Sequence, residues 1–384
     1  MRLLYATGRY SPLKHDAGSG EDYNLYNAFE REGFDIRIVG PLEDRADLLE
    51  RVYRKAHGLL SSKRYAKYSG ALLRSAAREV ATATREYLPD ALFSHNLSAF
   101  VRLETDIPIV YLMDSTLLGT EAQWPQFSKL ECKRMIGWEK AVLAKSTRII
   151  TRSQWAIDTL VNQYDVPPEK IELVQAASSL PERVIASSVE TSTSDLSTVR
   201  LLLVGRVYRL KGIDIAIDVV NQLNQQGVPA ELRIVGLAGE DSEHVRFMGA
   251  FRKSIESELQ AYAAQYAWAH FLIHPARYDS APIVTAEAAA FGLPTLTNAA
   301  GGIATTVQDR VSGVVLPHLS PAGDYVKVIR HYRDNPLEYT ALRQSTHERY
   351  QRELNWNVVG HRISEIIREV VEADRIKKDR SKNI

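Results

Sequence analysis

Short apolar runs alternate with amphipathic stretches along nearly the whole chain of 384 residues. In parallel sheets covered by helices, strands buried on both faces read as short apolar runs, and the crossover helices between them are amphipathic. The predicted strands are Arg2–Thr7, Asp35–Gly40, Ala91–His95, Ile107–Met113, Arg148–Thr151, Ile171–Ala176, Arg200–Val204, Glu231–Val235, Phe271–His274, Thr295–Thr297 and Gly313–Leu316. The pattern therefore predicts an α/β protein built from doubly wound, Rossmann-like domains.

Chain length and one polar stretch predict two domains. A chain of 384 residues is longer than a single hydrophobic core usually supports. Ser187–Thr198 consists mostly of Ser and Thr with two acids, a composition typical of a linker. We therefore expect an N-terminal domain over residues 1–180 and a C-terminal domain over residues 199–355.

Several helical segments are predicted in the second half. Lys211–Gln226 carries apolar residues at helical spacing, and Gly227 supplies a C-terminal stop. Helical patterns continue through Asp324–Glu353 and Val358–Ala373. The charged and polar residues 375–384 predict a frayed end.

Charge and cysteine content exclude several classes of protein. The formal net charge of +1 gives no overall attraction for nucleic acid, so no nucleic-acid partner is expected. The single cysteine, Cys132, rules out an internal disulfide and fits a reducing compartment. No apolar run approaches the roughly 20 residues of a membrane span, and the N-terminus reads as a buried strand, not a signal peptide. We expect a cytoplasmic protein.

Asp279 and Glu287, eight positions apart, frame a candidate phosphate-binding site. A helix is predicted from about Pro282 to Phe291, with Ser280 as its cap. The amides of Ile283 and Val284 would lack partners within that helix and would lie at the positive end of its dipole, where phosphate binds well. Glu287 shares their face one turn deeper. This arrangement suits a nucleotide, with its diphosphate on the helix end and its ribose on Glu287.

Four elements together resemble the donor half of a retaining GT-B glycosyltransferase of family four (glycosyl transferases group 1). They are Asp279-x7-Glu287, the turn Gly292–Pro294, Gly301–Ile303, and Gly205-Arg206 with Lys211-Gly212. The resemblance is close over residues 199–317 and loose elsewhere. It implies two Rossmann-like domains facing across a cleft, with residues 358–384 forming a helix that joins the N-terminal domain. It also implies transfer of a hexose, with retention and without a metal, from a nucleotide-diphosphate sugar to a hydroxyl of a glycan, lipid or small molecule. No cofactor is expected beyond that donor substrate.

The resemblance assigns donor-half residues to individual steps. Negative charge grows on the diphosphate as it leaves, and two fixed cations, Arg206 and Lys211, would stabilise it. Asp279 would touch the transferred sugar. Glycines at Gly205, Gly301 and Gly302 would let the backbone approach the donor closely. These residues follow the carboxyl ends of predicted strands, where doubly wound folds bind ligands.

The N-terminal half supplies further candidates. The segment from Gly18 to Gly20 resembles the family's glycine-rich loop, which approaches the donor phosphate or the acceptor. His95 and Asp114 each end a predicted strand and should point into the cleft. His95 would contact the sugar or acceptor, with a core histidine as the alternative, and Asp114 would lie near the reacting ring of the donor.

Three positions depart from the usual pattern of the family. Asp279 replaces Glu, Ala281-Pro282 replace an aromatic residue and Gly, and Asp114 replaces His. These changes keep a non-catalytic sugar-nucleotide binding protein open as an alternative. A nucleotide-sugar epimerase of the same fold is a second one, distinguished by conversion of free donor without an acceptor.

The segment Tyr53–Arg78 is basic and interleaved with tyrosines. Two interpretations stay open: a solvated helix face, or a peripheral contact with an anionic membrane. A homodimer also stays open. The nucleotide base, the sugar and the acceptor cannot be read from these residues.

Overall fold

The structure is a computed structural model that describes residues 1–14, 20–43, 68–189 and 195–382. It divides into two compact units. The first comprises residues 1–174 and 360–384, and the second residues 175–359. Each unit contains a six-stranded parallel sheet flanked by helices, as the alternating sequence pattern predicts.

The sheet of the first unit has the strand order β2-β1-β3-β4-β5-β6. Its strands are β1 (Arg2–Ala6), β2 (Asp35–Val39), β3 (Ala91–Ser94), β4 (Ile109–Met113), β5 (Arg148–Thr151) and β6 (Ile171–Leu173). Its helices are α1 (Glu21–Arg31), α2 (Gly70–Tyr87), α3 (Leu117–Gln123), α4 (Lys129–Lys145) and α5 (Gln154–Tyr164).

The sheet of the second unit has the strand order β12-β11-β10-β7-β8-β9. Its strands are β7 (Val199–Val204), β8 (Ala230–Val235), β9 (Val245–Gly249), β10 (Phe271–His274), β11 (Thr295–Asn298) and β12 (Gly313–Leu316). Its helices are α6 (Glu182–Val189), α7 (Ile213–Gln225), α8 (Glu256–Trp268), α9 (Ile283–Ala290), α10 (Ile303–Thr306), α11 (Ala322–Asp334) and α12 (Pro336–Glu353). Helix α13 (Trp356–Lys382) starts in the second unit and belongs to the first from Gly360 onward.

Each sheet has one point at which the chain reverses its direction of strand addition. In the first unit it lies between β1 and β3, where Leu4 pairs with Leu92. In the second it lies between β7 and β10, where Leu202 pairs with Leu272. Loops leaving the carboxyl ends of such neighbouring strands diverge and leave a crevice, which is where open α/β sheets bind ligands.

The central strands are buried on both faces. Leu3, Leu4 and Tyr5 of β1 are fully buried, and so are the three consecutive leucines 201–203 of β7. Their apolar runs therefore lack the alternation of a half-exposed strand. None of the described helices has the length and apolarity that crossing a membrane requires.

Several predicted boundaries are wrong. Ser187–Val189, assigned to a linker, ends helix α6, and the first unit ends at Val174 instead of residue 180. Residues 190–194 lie outside the described residues. Strand β9 was not predicted, because it is a partly exposed edge strand without a continuous apolar run.

The C-terminal segment also differs from its prediction. Residues 375–382 continue helix α13 instead of fraying. Arg375 donates to Asp90 at 3.0 Å, and the Lys378 Nζ lies 3.4 Å from the carbonyl of Asp106. Contacts with the rest of the first unit therefore hold a segment that its composition alone predicts to fray.

Glu139 is a buried carboxyl that joins three helices of the first unit. It lies in α4, accepts the backbone N–H of Leu117 at the start of α3, and accepts the hydroxyl of Tyr164 at the end of α5. Burial raises the pKa of Glu139 to about 7, although both donors act to lower it.

This raised pKa predicts a specific dependence of stability on pH. Between its ordinary value of 4.5 and about 7, the folded protein keeps a proton on Glu139 that the unfolded chain releases. The free energy of unfolding should therefore fall as pH rises through this window, by about 3 kcal/mol at roughly 1.4 kcal/mol per pKa unit. When the free energy of unfolding is measured with urea at several pH values, Glu139→Gln should lack this contribution to the pH dependence. Glu104→Gln, at a side chain 93% exposed, should keep it. Equal slopes in all three proteins would contradict the role of Glu139.

Candidate active site

The loop over residues 205–212 leaves the carboxyl end of β7 and leads into α7. Gly212 has φ +67°, and a Cβ there would lie 2.0 Å from the carbonyl oxygen of Pro275. A Cβ on Gly205 would lie 2.7 Å from the Cγ of Lys211. Gly212 is therefore required for this loop to pack against the loop that follows β10, and Gly205 leaves the space that the side chain of Lys211 occupies.

Lys211, Asp279 and His274 form a charged group at the point of reversal between β7 and β10. The Lys211 ammonium pairs with Asp279 Oδ2, and His274 Nε2 lies 3.0 Å from the same oxygen. Burial acts to raise the pKa of Asp279, but Lys211 and His274 outweigh it and hold this pKa at about 2. Asp279 is therefore ionised at neutral pH. The sequence places Lys211 and Asp279 at this edge, and the structure joins them directly.

A second ion pair fixes the same two loops. Arg277 donates through both terminal nitrogens to the Asp214 carboxylate, at 2.8 and 2.7 Å. The amide of Arg277 also donates to the carbonyl of Leu210 at 2.9 Å. The segment that carries Lys211 is therefore attached on both sides to the segment that carries Asp279. Arg206, earlier in the loop, is exposed to solvent.

Helix α9 begins at Ile283, with Pro282 at the position preceding the helix. The prediction that Ser280 caps it is wrong, because no side chain makes a capping hydrogen bond there. The hydroxyl of Thr285 donates instead to the Pro282 carbonyl at 2.7 Å. The first amides of a helix have no acceptor within it. Those of Ile283 and Val284 therefore remain suited to an anion.

Glu287 is fully buried and has four donors. Its Oε1 accepts from the Ser179 hydroxyl and, at 2.6 Å, from the Lys253 ammonium. Its Oε2 accepts from the hydroxyls of Tyr262 and Tyr266 at 2.6 and 2.7 Å. Burial acts to raise the pKa of Glu287, but Lys253 and the other donors outweigh it and lower this pKa. An ionised carboxylate has about four acceptor positions, so these donors fill them.

Gly301 and Gly302 hold the backbone of Asp279. Gly301 has φ +57°, and a Cβ there would lie 2.2 Å from the Asp279 carbonyl oxygen. The amide of Gly302 donates to the same oxygen at 2.9 Å. This glycine pair therefore has a structural role in placing Asp279, independent of any contact with a donor.

A cavity of about 220 Å³ lies at the carboxyl ends of β1, β3 and β4 in the first unit. His95 and Asp114, which follow β3 and β4, both line it. The N-terminus of α1 adds Glu21 and Asp22, and Gly20 precedes that helix with φ +83°. Gly18 lies outside the described residues.

A buried arginine stands behind this cavity. Arg152 follows β5, is fully buried, and pairs with Glu21; its Nε lies 4.0 Å from an oxygen of Asp114. Burial acts to raise the pKa of Glu21, but Arg152 outweighs it and lowers this pKa. Asp22 accepts from the Tyr5 hydroxyl at 2.6 Å and lies 3.4 Å from His95 Nε2. Burial raises the pKa of Asp22.

Sequence reasoning missed several of these residues. Lys253 and Ser179 lie in segments without a recognisable motif, and Arg152 is a buried charge that a sequence pattern places on the surface. His274 had a detectable signal, since it is a polar residue that closes an apolar strand five positions before Asp279.

Comparison with known proteins agrees with the fold. The family Glycosyl transferases group 1 matches residues 198–334, and Glycosyltransferase Family 4 matches residues 23–176. A sucrose-phosphate synthase from Thermosynechococcus elongatus superposes with a TM-score of 0.73 at 17% identity, over 97% of this chain and all of that one. HepE from Anabaena, solved in complex with UDP and glucose, gives 0.63 at 16% identity, over 96% of this chain and all of that one.

Curated relatives are similar in sequence. The D-inositol 3-phosphate glycosyltransferase 1 of Catenulispora acidiphila is 28% identical over 302 residues, 73% of this chain and 71% of the relative. A D-inositol 3-phosphate glycosyltransferase of Salinispora arenicola is 26% identical over 245 residues, and the match spans 54% of its length. The chain belongs to family four of the GT-B glycosyltransferases.

Removing one partner of the Lys253–Glu287 pair should lower the free energy of unfolding substantially. Lys253→Met leaves a buried carboxylate without its cation, so the free energy of unfolding should fall by about 3 kcal/mol. Adding Glu287→Gln to that variant should recover part of the loss, giving a coupling above about 1 kcal/mol in a double-mutant cycle. Lys327→Met, which removes an exposed pair with Asp324, should change stability by less than about 1 kcal/mol. Independent effects of the two substitutions would contradict the pairing.

Proposed function

We propose that this glycosyltransferase moves a sugar from a nucleotide-diphosphate sugar to an acceptor hydroxyl, with retention of configuration and without a metal ion. The observation that carries the proposal is the convergence, at the reversal point of the second unit, of the cationic loop 205–212 and the N-terminus of α9. Both are suited to a diphosphate.

In this proposal the diphosphate binds Arg206, Lys211 and the amides of Ile283 and Val284. An ammonium has three N–H donors, so Lys211 can contact a phosphate oxygen while it keeps its bond to Asp279. The exposed guanidinium of Arg206 offers a planar, forked contact to a second phosphate oxygen.

Asp279 is proposed to hold the transferred sugar. Its contacts with Lys211 and His274 both use Oδ2, so Oδ1 is the oxygen to accept a sugar hydroxyl. Its side chain is one methylene shorter than the family's usual Glu, and Gly301 permits close backbone packing at its carbonyl oxygen.

Glu287 is proposed to accept the ribose hydroxyls, which requires an exchange of donors. Lys253 is the partner to leave, because its side chain is 20% exposed whereas the three hydroxyl donors belong to buried residues. Ribose binding would thus free an ammonium beside the donor, and Lys253 joins the proposed donor-binding residues.

The proposed reaction proceeds on one face of the sugar. The bond from the anomeric carbon to the diphosphate oxygen breaks, and that carbon bonds the acceptor oxygen on the same face. The acceptor proton passes to the leaving diphosphate. Growing charge on the diphosphate meets Arg206, Lys211 and the amides of α9, which are fixed before the reaction and so cost little reorganisation.

The acceptor is proposed to bind in the cavity of the first unit, against His95 and Asp114. A uridine nucleotide is proposed as the donor carrier, supported by the UDP and UDP-glucose complexes of HepE. Thermal shift against uridine, guanosine and adenosine diphosphates tests this directly, since a ligand at a hundred times its Kd stabilises by roughly 2.7 kcal/mol. No shift with any of the three would overturn the proposed function.

Removing either cation should impair the leaving group. Arg206→Ala and Lys211→Ala should each lower kcat by roughly a hundredfold, as loss of one preorganised charge contact does. Arg209→Ala is the matched control, since this arginine lies in the same loop, is 71% exposed and faces Asp214. EDTA should leave the wild-type rate unchanged. Inactivation by EDTA with rescue by manganese would refute the metal-free mechanism.

Asp114 should affect transfer without affecting the nucleotide. An ionised Asp only accepts hydrogen bonds, so its partner must be a donating hydroxyl, which Asp114→Asn would hold poorly. Transfer should fall at least tenfold, while the Kd for the nucleoside diphosphate stays unchanged, because the proposed phosphate contacts all lie in the second unit. Glu104→Gln, an exposed carboxyl of the same unit, serves as control. Transfer at the wild-type rate in Asp114→Asn would remove Asp114 from the reacting centre and favour His95.

A further inference from the structure

The cavity of the first unit has a lining that restricts the kind of acceptor it can take. Among the residues that the structure describes, four carboxylates line it, from Glu21, Asp22, Glu43 and Asp114, against one guanidinium, that of Arg9. At about 220 Å³ it is smaller than the roughly 300–1,000 Å³ of pockets for drug-sized ligands, so one sugar or cyclitol ring is the unit it fits.

Two arginines of the described part of the chain lie at this cavity, and each already has a partner. Arg152 is fully buried behind the lining and pairs with Glu21. Arg9 is exposed and lies over the ring of Tyr10, 5.5 Å from its centroid. In neither arrangement is the guanidinium positioned to donate two parallel hydrogen bonds to a phosphate inside the cavity.

Glu43 lies against neutral donors. Its Oε1 lies 3.4 Å from the Ser98 hydroxyl, and the hydroxyl of Tyr68 donates to the same carboxylate. A phosphate ester placed in the cavity would meet this carboxylate and Asp114 as like charges, which repel across a partly buried site.

Two polar atoms of the lining residues also lack a partner in the part of the chain that the structure describes. Asn96 Nδ2 and His95 Nδ1 are buried and have no hydrogen-bond partner among the described residues. A buried polar atom without a partner is costly. A hydroxyl can accept from Asn96 Nδ2, and a hydroxyl or ammonium can donate to an unprotonated His95 Nδ1. Carboxylates, in turn, accept from hydroxyl and ammonium groups.

We propose that the acceptor is a sugar or cyclitol bearing hydroxyl or amino groups and no phosphate in this cavity. The inference rests on the proposed function, which makes this cavity the acceptor site. It separates the chain from the relatives named for D-inositol 3-phosphate, whose acceptor is an anion.

Matched probes test the inference by direct binding, which requires no donor turnover. Dissociation constants would be measured by ligand-observed NMR, with and without UDP, for myo-inositol against myo-inositol 3-phosphate and for glucosamine against glucosamine 6-phosphate. The unphosphorylated member of at least one pair should bind at least tenfold more tightly. Asn96→Ala should weaken that binding. Glu43→Gln should reduce the ratio between the dissociation constants of the phosphorylated and unphosphorylated members of the pair. Glu104→Gln should do neither, and thermal melts confirm that each variant is folded.

Three results would overturn the inference: equal or tighter binding of the phosphate esters, binding that neither cavity variant alters, or no binding of any probe. The proposed function fails separately, when no nucleoside diphosphate binds. UDP binding together with a preference for the phosphate esters would reject only the acceptor class.

Discussion

The ion pair between Lys211 and Asp279 is the interaction on which the candidate site of the second unit depends. It joins the loops that leave β7 and β10, the two strands between which the sheet reverses its order. His274, fully buried at the end of β10, adds a second contact to the same carboxylate oxygen. A cation positioned in this way is held by the fold before any substrate arrives. Preorganised charge of this kind stabilises a developing anion at little cost in reorganisation.

Glycines make that pair geometrically feasible. The chain must bring the carbonyl of Pro275 and the carbonyl of Asp279 against neighbouring backbone, and a Cβ on Gly212 or Gly301 would lie 2.0 or 2.2 Å from them. The same motif glycines that suggest contact with a ligand therefore also serve packing. The buried carboxylate Glu287 is a comparable case, because its four donors stabilise the folded unit while one of them, Lys253, keeps 20% of its side chain exposed.

The alternation of apolar and amphipathic segments predicts both sheets, since strands buried on two faces leave a clear signal. That Lys211 and Asp279 lie at the same edge of the sheet could also be predicted, because the carboxyl ends of adjacent parallel strands share an edge. The partners of Glu287 could not be predicted, since Lys253 and Ser179 lie 34 and 108 residues away in segments that carry no recognisable motif. The burial of Arg152 could not be predicted for another reason. A buried charge needs a partner, here Glu21, and only the fold brings the two together. The helix over Val358–Ala373 could be predicted, but its continuation to Lys382 could not, because tertiary contacts and not composition hold that end.

The claim that the second unit recognises a diphosphate can be tested most directly by comparing a nucleoside with its diphosphate. Titration calorimetry with uridine and UDP, or with the base that the thermal-shift screen selects, separates the phosphate contacts from those of the base and ribose. Two cations and two free helix amides should make UDP bind at least a hundredfold more tightly than uridine, with the difference shrinking as salt screens it. Equal affinity for the two ligands would contradict the account.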